Sequence, residues 1–171
     1  MASFSYARIR GGFSTVYVST ATLPASAVRR TTNSPLETAL TSGTGSNQVD
    51  LEFVQQTTLA ASGTTTRDLA GSLSDAFGTT LTFVKIKGIY VTAASGNTNN
   101  VLVKPNSSNG FLGPFNAATD QVAIPPGGSF MVTAPASGWT VTAGTGDILY
   151  FANSGAGTSV TFDLHLIGTS A

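Results

Sequence analysis

The chain has 171 residues, no cysteine and a formal net charge of zero, so a disulfide scaffold, a thiolate metal site and a cysteine nucleophile are excluded together. Only 9% of residues are charged, against about 25% in ordinary soluble domains, and Thr, Ser, Asn, Gly and Ala fill the deficit. A hydrophobic content of 41% excludes a disordered chain, and no 18-residue apolar run supports a transmembrane helix.

The charges divide the chain. Residues 1–34 hold Arg8, Arg10, Arg29 and Arg30 and no acid, a net +4; residues 35–171 hold Arg67, Lys85, Lys87 and Lys104 against eight acids, a net −4. The first part reads as an extended basic N-terminal arm. It has a short strand at 13–18 followed by the Pro- and Ser/Thr-rich linker TATLPASAVRRTTNSP. Fully extended, such an arm spans on the order of 110 Å. MASFSYARIRGG has no apolar h-region, so no secretory signal is expected and the mature chain should begin near Met1.

Residues 35–171 read as one β-sandwich domain, long enough to bury roughly 70% of its unfolded surface without a staple. Val49, Leu51 and Phe53 begin a period-2 strand over 49–59. A short helix is the alternative to a loop at 72–76 (SLSDA), with Ser72 as cap and Asp75 closing the box. LTFVKIKGIYV over 81–91 is a long strand, expected to place Lys85 and Lys87 on one face and Val84, Ile86 and Tyr90 on the other. Further strands are expected at 121–124, 129–133, 140–142, 147–153 and 159–167. PPGG at 125–128 is a turn, because Pro presets φ and Gly supplies φ > 0. SGNTNN, NSSNG, ASG, AGTG and NSGAG separate other segments as loops. In the last strand Val160, Phe162, Leu164 and Leu166 face one way and Thr161, Asp163 and His165 the other. Short strands at this spacing predict an all-β, jelly-roll-like antiparallel sandwich of eight to ten strands, about the eight of a jelly roll.

The candidate chemistry is sparse. His165 has Asp163 two residues away on the same strand face, roughly 7 Å along the strand, but no G-x-S-x-G elbow supplies a nucleophile. The glycine-rich AGTGD (143–147) and NSGAGTS (153–159) lack a following Lys-Ser/Thr and open no helix, so they read as turns rather than phosphate cradles. Asp50 and Glu52 share a strand face and offer a cation or carboxylate-pair reading. Glycosidases draw their two carboxylates from different elements about 5 to 9.5 Å apart, and Trp139 is the only tryptophan to line a subsite. No catalytic residue, cofactor or metal is therefore assigned. Four arginines are few for a nucleic-acid tail, where each phosphate neutralised adds its own increment. Arg8, Arg10, Arg29 and Arg30 are read instead as partners for carboxylates on a neighbouring protein. A low-charge, hydroxyl-rich surface is cheap to desolvate and suits assembly.

LAGSLSDAFGTTLTFVKIKGIYV (69–91) and TDQVAIPPGGSFMVTAPASGWTVTAGTGDILYFANSGAGTSVTFDLHLIG (119–168) resemble segments of small virion-associated proteins of tailed bacteriophages. The likeness is carried by DAFG at 75–78, the PPGG turn, W-x-V-T-A-G-T-G-D at 139–147 and N-S-G-A-G-T-x-V-T-F-D at 153–163. It covers roughly 36–171 and leaves the arm outside. The resemblance implies a capsid decoration (cement) protein, made in the host cytoplasm and carried on the virion surface. It would be non-enzymatic, homotrimeric and seated on the major capsid protein, with no membrane or nucleic-acid partner. The alternatives are a tail or fibre module binding host glycan, through Asn97, Asn99, Asn100 and Asn109 with Trp139 or Tyr90, and a jelly-roll major capsid protein.

Overall fold

The computed structural model describes the backbone of residues 6–18 and 29–171, and the side chains of all of these except 17, 18, 29 and 30. It is all-β, with no helix among the described residues. The chain opens with β1 (Tyr6–Val18) and β2 (Arg29–Ser42), which pair antiparallel along their whole length from Tyr6↔Thr41 to Val18↔Arg29. β3 (Gln48–Val49) adds two parallel rungs to the end of β2. The described part of the arm is thus a long hairpin, and the expected boundary at 34/35 falls inside β2. Most of the linker expected after Val18 lies outside the described residues.

The body begins with β4 (Leu51–Leu59) and β5 (Thr64–Asp68). A small two-stranded sheet follows, made of β6 (Ala70–Ser74) and β7 (Thr80–Thr82). Then come β8 (Lys85–Ala93), β9 (Val101–Pro105), β10 (Val122–Ile124), β11 (Ser129–Thr133), β12 (Trp139–Thr140), β13 (Ile148–Asn153) and β14 (Val160–Thr169). One sheet runs β11-β8-β14-β4, with β12 also on β8; the other runs β10-β9-β13-β5. The pairs β4/β14 and β8/β11 of the first sheet continue through loops into β5/β13 and β9/β10 of the second. That is a two-stranded ribbon folded over on itself, the jelly-roll order.

Between the sheets lies one apolar cluster that includes Phe53, Phe83, Ile89, Val91, Val103, Leu149, Phe151, Phe162, Leu164 and Leu166. Alternation puts them there: in β14, Val160, Phe162, Leu164 and Leu166 are buried while His165 is exposed, as the period-2 pattern predicts. At PPGG, Gly127 has φ +71° and the Gly128 N–H donates to the Pro125 carbonyl at 2.8 Å. This is a type II turn, which needs a residue tolerant of positive φ at its third position.

Two local expectations are corrected. Residues 72–76 form no helix: Ala70–Ser74 is β6, paired with β7. Asp75 builds a turn instead, its carboxylate accepting the N–H groups of Phe77 at 2.9 Å and Thr79 at 2.8 Å. Asp bonding its own downstream backbone competes with helix in this way. The face assignment over 81–91 also fails beyond Ile86. The β14 register passes from Ile167↔Gly88 to Gly168↔Ile86 and skips Lys87. This bulge reverses the phase. Ile86, Ile89 and Val91 therefore face the core, while Tyr90 joins His165 on the outer face.

Candidate docking surface

The hairpin crosses the outer face of the β11-β8-β14-β4 sheet. A second, small apolar cluster of Ile9, Leu40 and Val49, with Ala7 and Ile167 against it, holds its root there. Gly88 permits the contact. A Cβ at that position would stand 3.0 Å from Ile167 Cγ1, tight enough that Ile167 would have to shift, and 3.9 Å from Ile9 Cδ1, an ordinary contact. A side chain there would disturb the Ile167 side chain on which the hairpin root rests.

A polar clamp completes the root. Lys87 is only 1% exposed, and its ammonium donates to the carbonyls of Gly45 at 3.2 Å, Pro135 at 3.1 Å and Ala136 at 2.8 Å. An ammonium has three protons to give, so the cation is satisfied by dipoles alone. Burial holds the Lys87 pKa below the usual lysine value, and Lys85 nearby lowers it further. The three acceptors come from the β2–β3 loop and from the segment after β11, so one side chain ties hairpin, β8 and loop together. The Asn47 N–H adds a bond to the Pro135 carbonyl at 3.0 Å.

Between β1 and the sheet is a cleft of about 830 Å³ whose lining includes Tyr6, Arg8, Glu52, Tyr90, Met131 and His165. Tyr90 and His165 meet edge-on with ring centroids 5.9 Å apart. Of the four arginines expected to contact a partner, two are visible as side chains. Arg8 Nη1 and Arg10 Nη2 lie 3.3 and 3.2 Å from the same Glu37 oxygen across the hairpin. Arg8 also stands over the Tyr6 ring at 5.9 Å. Arg29 and Arg30 occupy register positions opposite Val18 and Tyr17, with side chains outside the described residues.

The other candidates are dispersed. Asp163 accepts from Gln56 Nε2 at 3.0 Å. Asp50 is committed to Ser170, accepting its N–H at 2.9 Å and its hydroxyl at 2.5 Å, while Glu52 lines the cleft. No group of three or more metal-ligating side chains occurs among the described residues. Both glycine-rich stretches are turns. In 143–147 the Gly146 N–H returns to the Thr142 carbonyl at 2.8 Å, and buried Asp147 accepts the Gly144 N–H at 2.5 Å. In 153–159 buried Asn153 anchors the loop.

The residues of the glycan reading do not converge. Asn97 is spent on Thr161, donating to its carbonyl at 2.9 Å and accepting its N–H at 2.8 Å. Asn99 donates to Asn153 at 3.0 Å. Asn109 lies beyond the opposite end of β9, its carbonyl accepting from Asp147 and Ile148. Trp139 pairs with Ile86 at the start of β8 and packs on the core.

Sequence reasoning missed Lys87 as the clamp and Met131 and Gly88 as cleft residues. A lysine inside the apolar run FVKIKGIYV was the available signal for the first, since an unpaired cation is not tolerated in such a run. No family model matches the chain, and neither a curated protein nor a solved structure matches it.

Proposed function

We propose that this chain is a non-enzymatic virion structural protein, a decoration (cement) protein that binds the assembled head of a tailed phage through the major capsid protein. The observation that carries the reading is the hairpin of β1 and β2. It stands on a low-charge jelly-roll body and presents uncovered apolar side chains, among them Phe13 at 82% exposure. Single exposed apolar side chains are ordinary on a monomer, but one hairpin that carries Tyr6, Phe13, Val16 and Leu36 all exposed offers a surface suited to being covered. The phage-protein resemblance over 36–171 and the 9% charge content favour the same reading.

The mechanism is mass action. A protein that binds only the assembled lattice lowers the free energy of that state, and each copy bridging several subunits multiplies the effect. A contact burying about 1,600 Å² in total suffices for lasting attachment. Homotrimers would match three-fold positions of the lattice, and the hairpin with Arg8, Arg10, Arg29 and Arg30 would extend the footprint onto acidic capsid patches.

Copy number per purified virion, by quantitative mass spectrometry against the major capsid protein, tests this. A simple lattice fraction of the capsid protein is expected. A handful of copies per particle would overturn decoration in favour of the tail or fibre reading. Closed shells formed by this chain alone would overturn it in favour of a jelly-roll major capsid protein.

A further inference from the structure

The hairpin is longer than the face it crosses. Ile9 is seated on β14 and β8, but beyond Gly12 its described side chains are exposed: Phe13, Ser14, Thr15 and Val16 on β1, Thr31 to Ser34 on β2. Among the described residues β1 is hydrogen-bonded only to β2, and a strand edge of this kind is a template for a further strand. Arm and body also differ in sign. Residues 6–42 carry four arginines and Glu37, a net +3; residues 43–171 carry four cations and seven acids, a net −3.

The body's charge has a location. The outer face of the β4/β14/β8 sheet presents Glu52, Val54 and Gln56 from β4, Asp163 and His165 from β14, and Tyr90 from β8. Glu52, His165 and Tyr90 border the cleft beside the chain's own β1, while Val54, Gln56 and Asp163 lie outside it. Val54 at the centre of this face is exposed, and Lys85, at the far end of β8, is the strand's only cation apart from the buried Lys87. An acidic seat with an apolar centre and a basic arm with apolar anchors are thus built into one chain, and near Gly11 the arm has reached Met131 of β11, at the edge of the sheet away from β4. Opposite charges arranged in this way select partner and register.

We infer that the distal half of the hairpin docks on the outer β4/β14 face of a second copy of this chain. Phe13 and Val16 supply the apolar contact around Val54, and the arm's net positive charge complements Glu52 and Asp163. Arm and seat are different surfaces, so the contact is heterologous and closes into a ring when the rotation per subunit allows. The inference does not rest on the virion reading. A chain that assembles through its arm but is absent from heads would keep this inference and lose that one.

The test is the solution mass of the full chain by light scattering and sedimentation velocity. Wild type is expected as a closed oligomer. The arm variant Arg29→Glu/Arg30→Glu and the seat variant Glu52→Lys/Asp163→Lys are each expected to associate at least about tenfold more weakly, a loss of about 1.4 kcal/mol. Their equimolar mixture is expected to recover mixed complexes, because the reversed arm meets a reversed seat; unchanged thermal melts establish that both variants fold. A wild type that stays monomeric at about 100 µM, where a micromolar interface would be filled, overturns the inference. So do reversals that leave the mass unchanged, or a mixture that stays monomeric.

Discussion

Phe151 of β13 and Phe162 of β14 stack face to face across the two sheets, ring centroids 4.8 Å apart and planes within 16°. Both are buried, so the pair joins the sheets at their middle. Phe151→Ala or Phe162→Ala is expected to cost about 3 to 5 kcal/mol of stability. A double-mutant cycle in urea should return a coupling of about 1 kcal/mol; additive losses would show that the rings only fill space.

Lys87→Met fits the volume but strips the donor from three carbonyls. A loss of about 2 to 4 kcal/mol is expected, since buried acceptors left without partners cost more than a hydrogen bond returns. Hydrogen exchange should rise first in the β2–β3 loop and at 134–138, the segments that the ammonium ties together.

The same lysine gives a pH dependence. Its folded pKa is lowered, chiefly by burial, so between that value and the ordinary value near about 10.4 the unfolded chain binds more protons than the folded one. Stability contributed at this site therefore rises with pH through that window, and below it the cost of burying the charge is fully present. Urea unfolding from about pH 8 to about pH 10 should show the rise in wild type and not in Lys87→Met; equal slopes would assign it to other groups.

Arg67 is the contrasting case. Its guanidinium donates to Thr57 Oγ1 at 2.7 Å and Thr65 Oγ1 at 2.8 Å, closing the edge where β4 and β5 meet. No carboxylate among the described residues pairs with it, its Nε is buried without a partner, and burial lowers its pKa. The guanidinium also donates to the Thr66 carbonyl at 2.8 Å, and because the side chain is only half buried, solvent screens much of the cost of its charge. Arg67→Met should therefore change stability by less than about 1 kcal/mol, the range of a solvent-screened surface group. A large loss on thermal melting would mean that the hydroxyl bonds dominate.

Asn153 links the loops at one end of the sandwich. Its amide donates to the carbonyls of Ala60 at 3.0 Å and Thr158 at 2.8 Å, and its oxygen accepts from Asn99 at 3.0 Å and Gly155 at 3.2 Å. Asn153→Ala should cost about 2 to 3 kcal/mol, with faster exchange in 60–63, 97–100 and 154–158. Protection lost at the opposite end instead would contradict this local role.

The all-β class, the PPGG turn and the two faces of β14 were legible in the sequence because each depends on neighbours within a few residues. Alternation aims Val160 to Leu166 inward whatever lies opposite, and Gly127 allows its turn without help from the rest of the fold. The strands at 64–68 and 101–105 were not legible. TTTRD has no apolar pattern of its own, and both become strands by pairing with β13. Tertiary structure alone decided the rest. The phase reversal at Lys87 follows from the β8–β14 register, and β2 from pairing with β1 across residues that read as a linker. The docking surface exists because the hairpin, folded back over β8 and β14, brings Arg8 beside a face that carries Glu52 and His165. Local pattern sets which way a side chain points; only long-range pairing sets what it meets.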